Sequence, residues 1–471
     1  MRQARGIVTT LGLAAVLAAG AGAQIYPATP DWVSSDLRYS TGAALVDLDR
    51  DGWLDLVVAN GNDIREEPLA VYYNRGDGTF PASPDWESSD DAYNGHLAVA
   101  DVNGDGFDDV AVARLLESSS GSDAARLYLN QAGTLSSLPD WRSDEQARAF
   151  GVAFGDVDLD GRPDLAVATG WPYSPSRLYP DYVYVNAGGA LPATASWQSL
   201  DSSGDMGVLW ADADGDGWLD LVATGRGSPT RVYRNTAGTL APTPIWTSAD
   251  NPGQYAIMIA EGDVDGDARR DLLVTDNTQL SGGSGKFRLY TGLSGGYYTG
   301  LPVWDYDEGY GSAVALADLD GDGALDLATG AWWDHTRLFL NTGSGLPSLP
   351  DWSSGGTSVV EKIVFGDVDR AGETDAVEIF RPRRHALPRV RSERLFHLRS
   401  RPVERLRAVV LDGELLPASR YTFDRETGRL TVHRAPRHAL EVRYVESDSP
   451  DMAVTNWDST LGNWLYYHRG R

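Results

Sequence analysis

An acidic nonapeptide recurs along this chain, and its spacing narrows the possible folds more than any other feature. The fullest copy is Asp318-Leu319-Asp320-Gly321-Asp322-Gly323-Ala324-Leu325-Asp326. Carboxylates at positions 1, 3, 5 and 9, with a glycine at position 6, suit a hard cation. Calcium takes about six to eight oxygen ligands at roughly 2.3 to 2.6 Å, and a glycine permits the tight turn. Six loops carry full side-chain sets: Asp47, Asp49, Asp51 and Asp55; Asp101, Asn103, Asp105 and Asp109; Asp156, Asp158, Asp160 and Asp164; Asp212, Asp214, Asp216 and Asp220; Asp263, Asp265, Asp267 and Asp271; and Asp318, Asp320, Asp322 and Asp326. The fifth has Ala268 at the glycine position, which predicts a strained turn and lower affinity. A seventh loop has Asp367 and Asp369 but Ala371 at position 5, and is expected to be weak or empty. Magnesium is the second candidate, but it demands stricter octahedral geometry and keeps its waters.

The leading carboxylates Asp47, Asp101, Asp156, Asp212, Asp263, Asp318 and Asp367 are 49 to 56 residues apart. A tryptophan keeps step about 15 residues ahead of each, at Trp32, Trp86, Trp141, Trp197, Trp246, Trp304 and Trp352. This period lies in the propeller range. Each unit reads as four short strands separated by turn residues, so the expected fold is an all-β, seven-bladed β-propeller with calcium-binding loops. The tryptophans are expected to pack between blades. The C-terminal Asn463-Trp464-Leu465-Tyr466 resembles a third strand with no tryptophan strand after it, while Ile25 to Ser35 supplies a tryptophan strand with nothing before it. Pairing the two would close the ring and remove two open edges.

The repeat resembles the FG-GAP/VCBS repeats of integrin-α-type β-propellers, whose cation loops have the form D-x-D-x-D-G-x-x-D before an apolar strand. Phe154-Gly155 and Phe365-Gly366 keep the phenylalanine-glycine element, but the glycine-alanine-proline element is mostly absent. The resemblance therefore points to the broad group of secreted repeat proteins over an integrin subunit. The tripeptide Arg75-Gly76-Asp77 occupies an ordinary turn of the repeat, where other units carry Gln131-Ala132-Gly133 or Thr236-Ala237-Gly238.

Residues 1–23 read as a signal peptide: Arg2 and Arg5, an apolar run from Ile7 to Ala19, and the small residues Ala21-Gly22-Ala23. The expected location is secreted, periplasmic or cell-surface, with no membrane span. The chain has no cysteine, which excludes disulfides and thiolate chemistry. A formal net charge of -27 makes nucleic acid and anionic membranes poor partners.

Residues 373–449 break the repeat. They hold 16 arginines against 12 acidic residues, a balance of +4, which leaves -31 for the rest of the chain. The shift marks a boundary, with the propeller assigned to residues 24–372 and 450–471 and a small β-rich, sandwich-like insert between. Either Asp375 or Asp451 completes the seventh loop. Asp451 is preferred, because Pro450-Asp451-Met452-Ala453-Val454 repeats Pro163-Asp164-Leu165-Ala166-Val167. The insert's arginines are expected to be solvated, with an acidic partner as the alternative.

The loops opposite the cations collect aromatic and polar residues: Tyr39, Tyr93, His96, Trp171, Tyr173, Tyr255, Tyr310, Trp332, Trp333 and Trp457, with His335 nearby. Such a face suits recognition of a glycan or protein, although about half of these residues are expected to serve as packing. No spacing suggests a nucleophile or metalloenzyme motif, so no catalytic residue is assigned. The expected function is a calcium-stabilised binding protein. The alternatives are an extracellular carbohydrate-active lyase or hydrolase and a structural surface module.

Overall fold

Strands of two to nine residues, joined by turns, dominate the computed structural model, which describes residues 25–115, 123–170, 178–250, 254–279, 283–382, 393–398 and 402–470. Residues 1–23 lie outside the described residues. No α-helix occurs among the described residues, and hence no helix long and apolar enough to cross a membrane. The all-β expectation holds.

Each repeat folds into a four-stranded antiparallel meander. In the first, Ser40–Val46 leads into the cation loop and pairs with Asp55–Asn60, which pairs with Ala70–Tyr72 and then Trp86–Glu87. The same order recurs from Asn94, Ala149, Gly204, Ile259 and Gly311. A further sheet is built from Ser358–Gly366, Asp451–Asn456, Trp464–Tyr466 and the N-terminal Trp32–Val33. Trp32 pairs with Leu465 and Val33 with Trp464, so the two ends of the chain share one sheet. This sheet also joins its predecessor where Trp332 pairs with Val359.

Neighbouring units are sealed at the rim by the tryptophans. Trp141 lies edge-on to Tyr184 of the next unit at 5.1 Å and donates its indole N–H to the Pro192 carbonyl at 3.1 Å. Trp197, Trp246, Trp304 and Trp352 repeat both contacts with the unit that follows each. An edge-to-face aromatic pair contributes about 0.5 to 1.5 kcal/mol beyond area burial.

The described residues between 373 and 449 leave the seventh cation loop and form two small sheets. One holds Glu373–Phe380, Leu440–Ser447, Val403–Leu411 and Glu414–Leu415; the other holds Leu395–His397, Arg429–Val432 and Tyr421–Asp424. Their shared core includes Phe396, Val409, Leu430 and Val442. This segment covers the cation end of the central channel. Several of its arginines are turned inward, contrary to the expectation of solvated groups. Arg429 donates to the Trp210 carbonyl and pairs with Asp424, Arg405 donates to the Gly52 carbonyl at 2.9 Å, and Arg394 donates to the Leu159 carbonyl at 2.8 Å. The cause is geometric: the insert starts and ends inside a loop at the rim of the channel, where loop and inner-strand carbonyls need donors.

Candidate functional site

The cation loops share one framework. The N–H at position 6 donates to the leading carboxylate in all seven, from Gly52 to Asp47 at 3.3 Å through Ala268 to Asp263 at 3.0 Å to Gly372 to Asp367 at 2.8 Å. The last carboxylate accepts twice. One oxygen of Asp326 takes the Leu319 N–H at 2.7 Å and the other takes the Asn341 N–H at 2.7 Å. Asp451 holds the same place, accepting from Val368 at 2.9 Å and from His468 at 2.8 Å. It also pairs with Gly366 as Asp164 pairs with Gly155. Asp375 lies instead in the first strand of the insert, opposite Val445, with its side chain 78% exposed.

Among the described residues, carboxylate oxygens come within 4.8 Å of one another in groups that include Asp47, Asp49 and Asp51; Asp156, Asp158 and Asp164; Asp212, Asp214 and Asp216; Asp263, Asp265 and Asp271; and Asp318, Asp320 and Asp326. Burial pushes up the carboxyl that ends each loop, with the earlier aspartates of the loop adding to the effect. Asp55, Asp109 and Asp326 rise to about 7 and Asp220 to about 8. Converging carboxylates of this kind, some of them buried, have the donor chemistry and the charge deficit that a divalent cation would satisfy. These clusters could hold metal ions, and oxygen-only donors are compatible with calcium.

Two features escaped the sequence. Position 4 of every loop also has a positive φ, including the non-glycine Arg50, Leu159 and Arg370 at 62, 56 and 59°. At position 6, Ala268 takes a φ of 67° where other loops place glycine. The second feature is a belt of amides. The asparagine ending the third strand reaches back to a loop carbonyl of the preceding unit, as Asn74 to Val368, Asn130 to Leu48, Asn186 to Val102, Asn235 to Val157 and Asn341 to Val264, all at 2.6 to 2.9 Å. His468 makes the matching contact with Leu319 at 3.0 Å. The recurrence of Asn130, Asn186, Asn235 and Asn341 after apolar strands was the available signal.

The opposite end of the channel gathers half of the predicted aromatic face. Tyr310 meets Trp333 perpendicularly at 5.4 Å, Trp333 meets Trp332 at 5.9 Å, and Trp332 meets Trp457 at 5.0 Å and Tyr255 at 6.4 Å. Trp333 is 57% exposed and Tyr310 38%, whereas Trp332 and Tyr255 are 2% and 1% exposed and form the floor beneath them. Trp333 also holds a φ of 59°, a costly conformation for a bulky side chain. His96 is not on this surface. It is buried 4.6 Å from the Phe150 ring, where burial beside Lys362 pushes its imidazole down to about 3. Tyr93 packs against the core, Tyr39 is half-buried apart from the cluster, and Trp171 and Tyr173 lie outside the described residues. His335 bonds the Ser354 carbonyl at 2.6 Å.

Below the exposed rings is a narrow pit lined by Thr41, Asn62, Asp63, Leu115, Phe150, Met206, Tyr255, Trp332, Glu361 and Trp457. Glu361 is 1% exposed; one carboxylate oxygen accepts the Trp332 indole N–H at 2.6 Å and the other has no partner. Burial, with Asp63 adding, pushes the Glu361 carboxyl well up. Sequence reasoning missed Glu361 and Asp63 because nothing in their local sequence sets them apart.

A model of the FG-GAP-like repeat matches residues 47–112, 109–167, 212–274 and 263–329, together just over half of the chain. Among solved structures, BBS1N, crystallised in complex with ARL6DN and soaked with mercury, is similar at 13% identity and a TM-score of 0.46, over 73% of this chain and 89% of that one. Raptor of Chaetomium thermophilum is similar at 12% identity and a TM-score of 0.42, over 69% of this chain and 26% of that one.

Proposed function

The chain belongs to the FG-GAP-like repeat family, and on that premise we propose that it is an exported, calcium-braced, seven-bladed propeller that binds a glycan or protein through the aromatic end of its channel. Trp333 carries this reading: it is a large aromatic residue kept more than half exposed, in a left-handed backbone conformation, on a floor of buried rings. Strain of this sort persists where the surroundings over-determine it, and it clusters at ligand-binding positions. A flat indole flanked by Tyr310 suits stacking on a sugar ring or an apolar side chain.

In this proposal calcium is structural, with six full loops and a seventh that is weak or empty. Residues 373–449 form an inserted module that caps the cation end, leaving the aromatic end for the ligand. A glycan and protein array probed with the mature chain tests the reading. Saturable binding should weaken at least about tenfold in Trp333→Ala with the melting temperature unchanged. An array without a saturable ligand would overturn it, and turnover of a bound glycan would reassign the protein as an enzyme.

A further inference from the structure

The pit beneath the aromatic rings is chemically lopsided. Glu361 is a buried carboxyl with one unpartnered oxygen, and Asp63 beside it also has an unpartnered buried oxygen. No lysine, arginine or histidine is among the described residues that line the pit. A buried acid without a counter-cation is costly and is held toward its neutral form. Two donors also lack partners there, the Asn62 side-chain amide and the Trp457 indole N–H. The other oxygen-bearing end of Asn62 is occupied, accepting from the Ile64 and Arg65 N–H groups at 2.8 and 2.9 Å, so the amide cannot rotate to exchange roles.

We infer that this pit binds a primary ammonium group bearing an oxygen acceptor on the adjacent carbon, as in a 2-amino sugar or an amino alcohol. The ammonium sits against Glu361 and Asp63 and supplies the counter-cation they lack. Trp332, Trp457 and Tyr255 line the pit, and a ring face turned to the ammonium adds cation–π attraction of about 0.5 to 2 kcal/mol. The neighbouring oxygen takes the donors of Asn62 and Trp457. Size adds selectivity, because the pit encloses room for one water-sized group, which admits –NH3⁺, excludes a trimethylammonium head and leaves the neighbouring oxygen at the opening. The rest of the ligand emerges toward Trp333 and Tyr310. This inference deepens the proposed ligand face and names its chemistry, and it rests on that face being the binding surface.

Calorimetric titration of the calcium-loaded full mature chain with glucosamine, ethanolamine and N-acetylglucosamine tests it. Glucosamine should bind, and N-acetylglucosamine, whose amine is blocked, should bind at least about tenfold more weakly. Ethanolamine binding as well as glucosamine assigns recognition to the amino-alcohol group alone; weaker ethanolamine binding assigns part of it to the sugar ring. Glu361→Gln keeps the acceptor for Trp332 and should abolish binding while the melting temperature is held; Asp63→Asn, on a surface loop, should weaken binding even if Glu361→Gln fails to fold. Equal binding of the acetylated and free amines, no binding of either free amine, or undiminished binding in a folded variant overturns the inference. If an array ligand binds in a Trp333-dependent way while glucosamine fails to compete with it, the ammonium pit falls and the wider ligand face stands.

Discussion

The sixth and seventh cation loops begin alike and end alike, yet they differ in what fills the centre. The sixth runs without interruption from Asp318 to Asp326, and Asp318, Asp320 and Asp326 converge on one point. The seventh opens with Asp367 and Asp369, loses its third ligand to Ala371, and is completed by Asp451 only after the insert. Its leading carboxylate accepts the Ser447 hydroxyl at 2.8 Å, a donor supplied by the returning end of the insert. The backbone framework therefore survives without a full ligand set. Hydrogen bonds from position 2, position 6 and the third strand define the turn, and in the proposed function a bound cation would be a separate layer on top of it.

Removing that layer everywhere gives the largest expected effect. Excess chelator should lower the melting temperature by more than about 10 °C, because ions bound only by the folded state at about 100 times their dissociation constant each add about 2.7 kcal/mol. An unchanged melting curve would remove the structural role of the cations. Breaking the framework comes next. Asp451→Ala leaves two N–H groups without acceptors and should cost about 2 to 4 kcal/mol, whereas Asp375→Ala on the exposed insert strand should cost under about 0.5 kcal/mol in chemical denaturation. Equal costs would contradict the assignment of Asp451 to the seventh loop.

The ion layer can then be compared loop by loop. In saturating calcium, Asp320→Asn should destabilise by about 2 kcal/mol and reduce the calcium stoichiometry by one, while Asp369→Asn should leave the stoichiometry unchanged. Loss of an ion in both would make the seventh loop a working site. The smallest effect is expected in the fifth loop. Ala268→Gly relieves an alanine held at positive φ and should stabilise by up to about 1 kcal/mol, read as a small rise in midpoint denaturant concentration.

Much of the fold was legible because a period of carboxylates with a tryptophan in phase is a local pattern repeated in order, and each copy dictates the same turn and strand pair. The candidate site was only partly legible. Tyr310, Trp332, Trp333 and Trp457 were visible in the sequence as aromatics, but Trp332 and Trp333 lie in the strand Asp326–Asp334 and not in a loop, and the split between the exposed Trp333 and the buried Trp332 depends on packing across units. Glu361 and Asp63 are about 300 residues apart in sequence and share the pit only because the seventh and first units adjoin.

The inward turn of Arg394, Arg405 and Arg429 was equally hidden, since charge counting gives the sign of a segment and not the direction in which its side chains point. By itself the sequence determined the repeat, the all-β class and the loops whose donors suit a hard cation, because those rest on spacing within nine residues. Only the tertiary structure decided between Asp375 and Asp451 for the seventh loop, turned three of the insert's arginines toward the ring, and brought two acids lacking a counter-cation together under an aromatic lip. Contacts between distant units carry no signature in local sequence; they follow from which strands the closed ring makes neighbours.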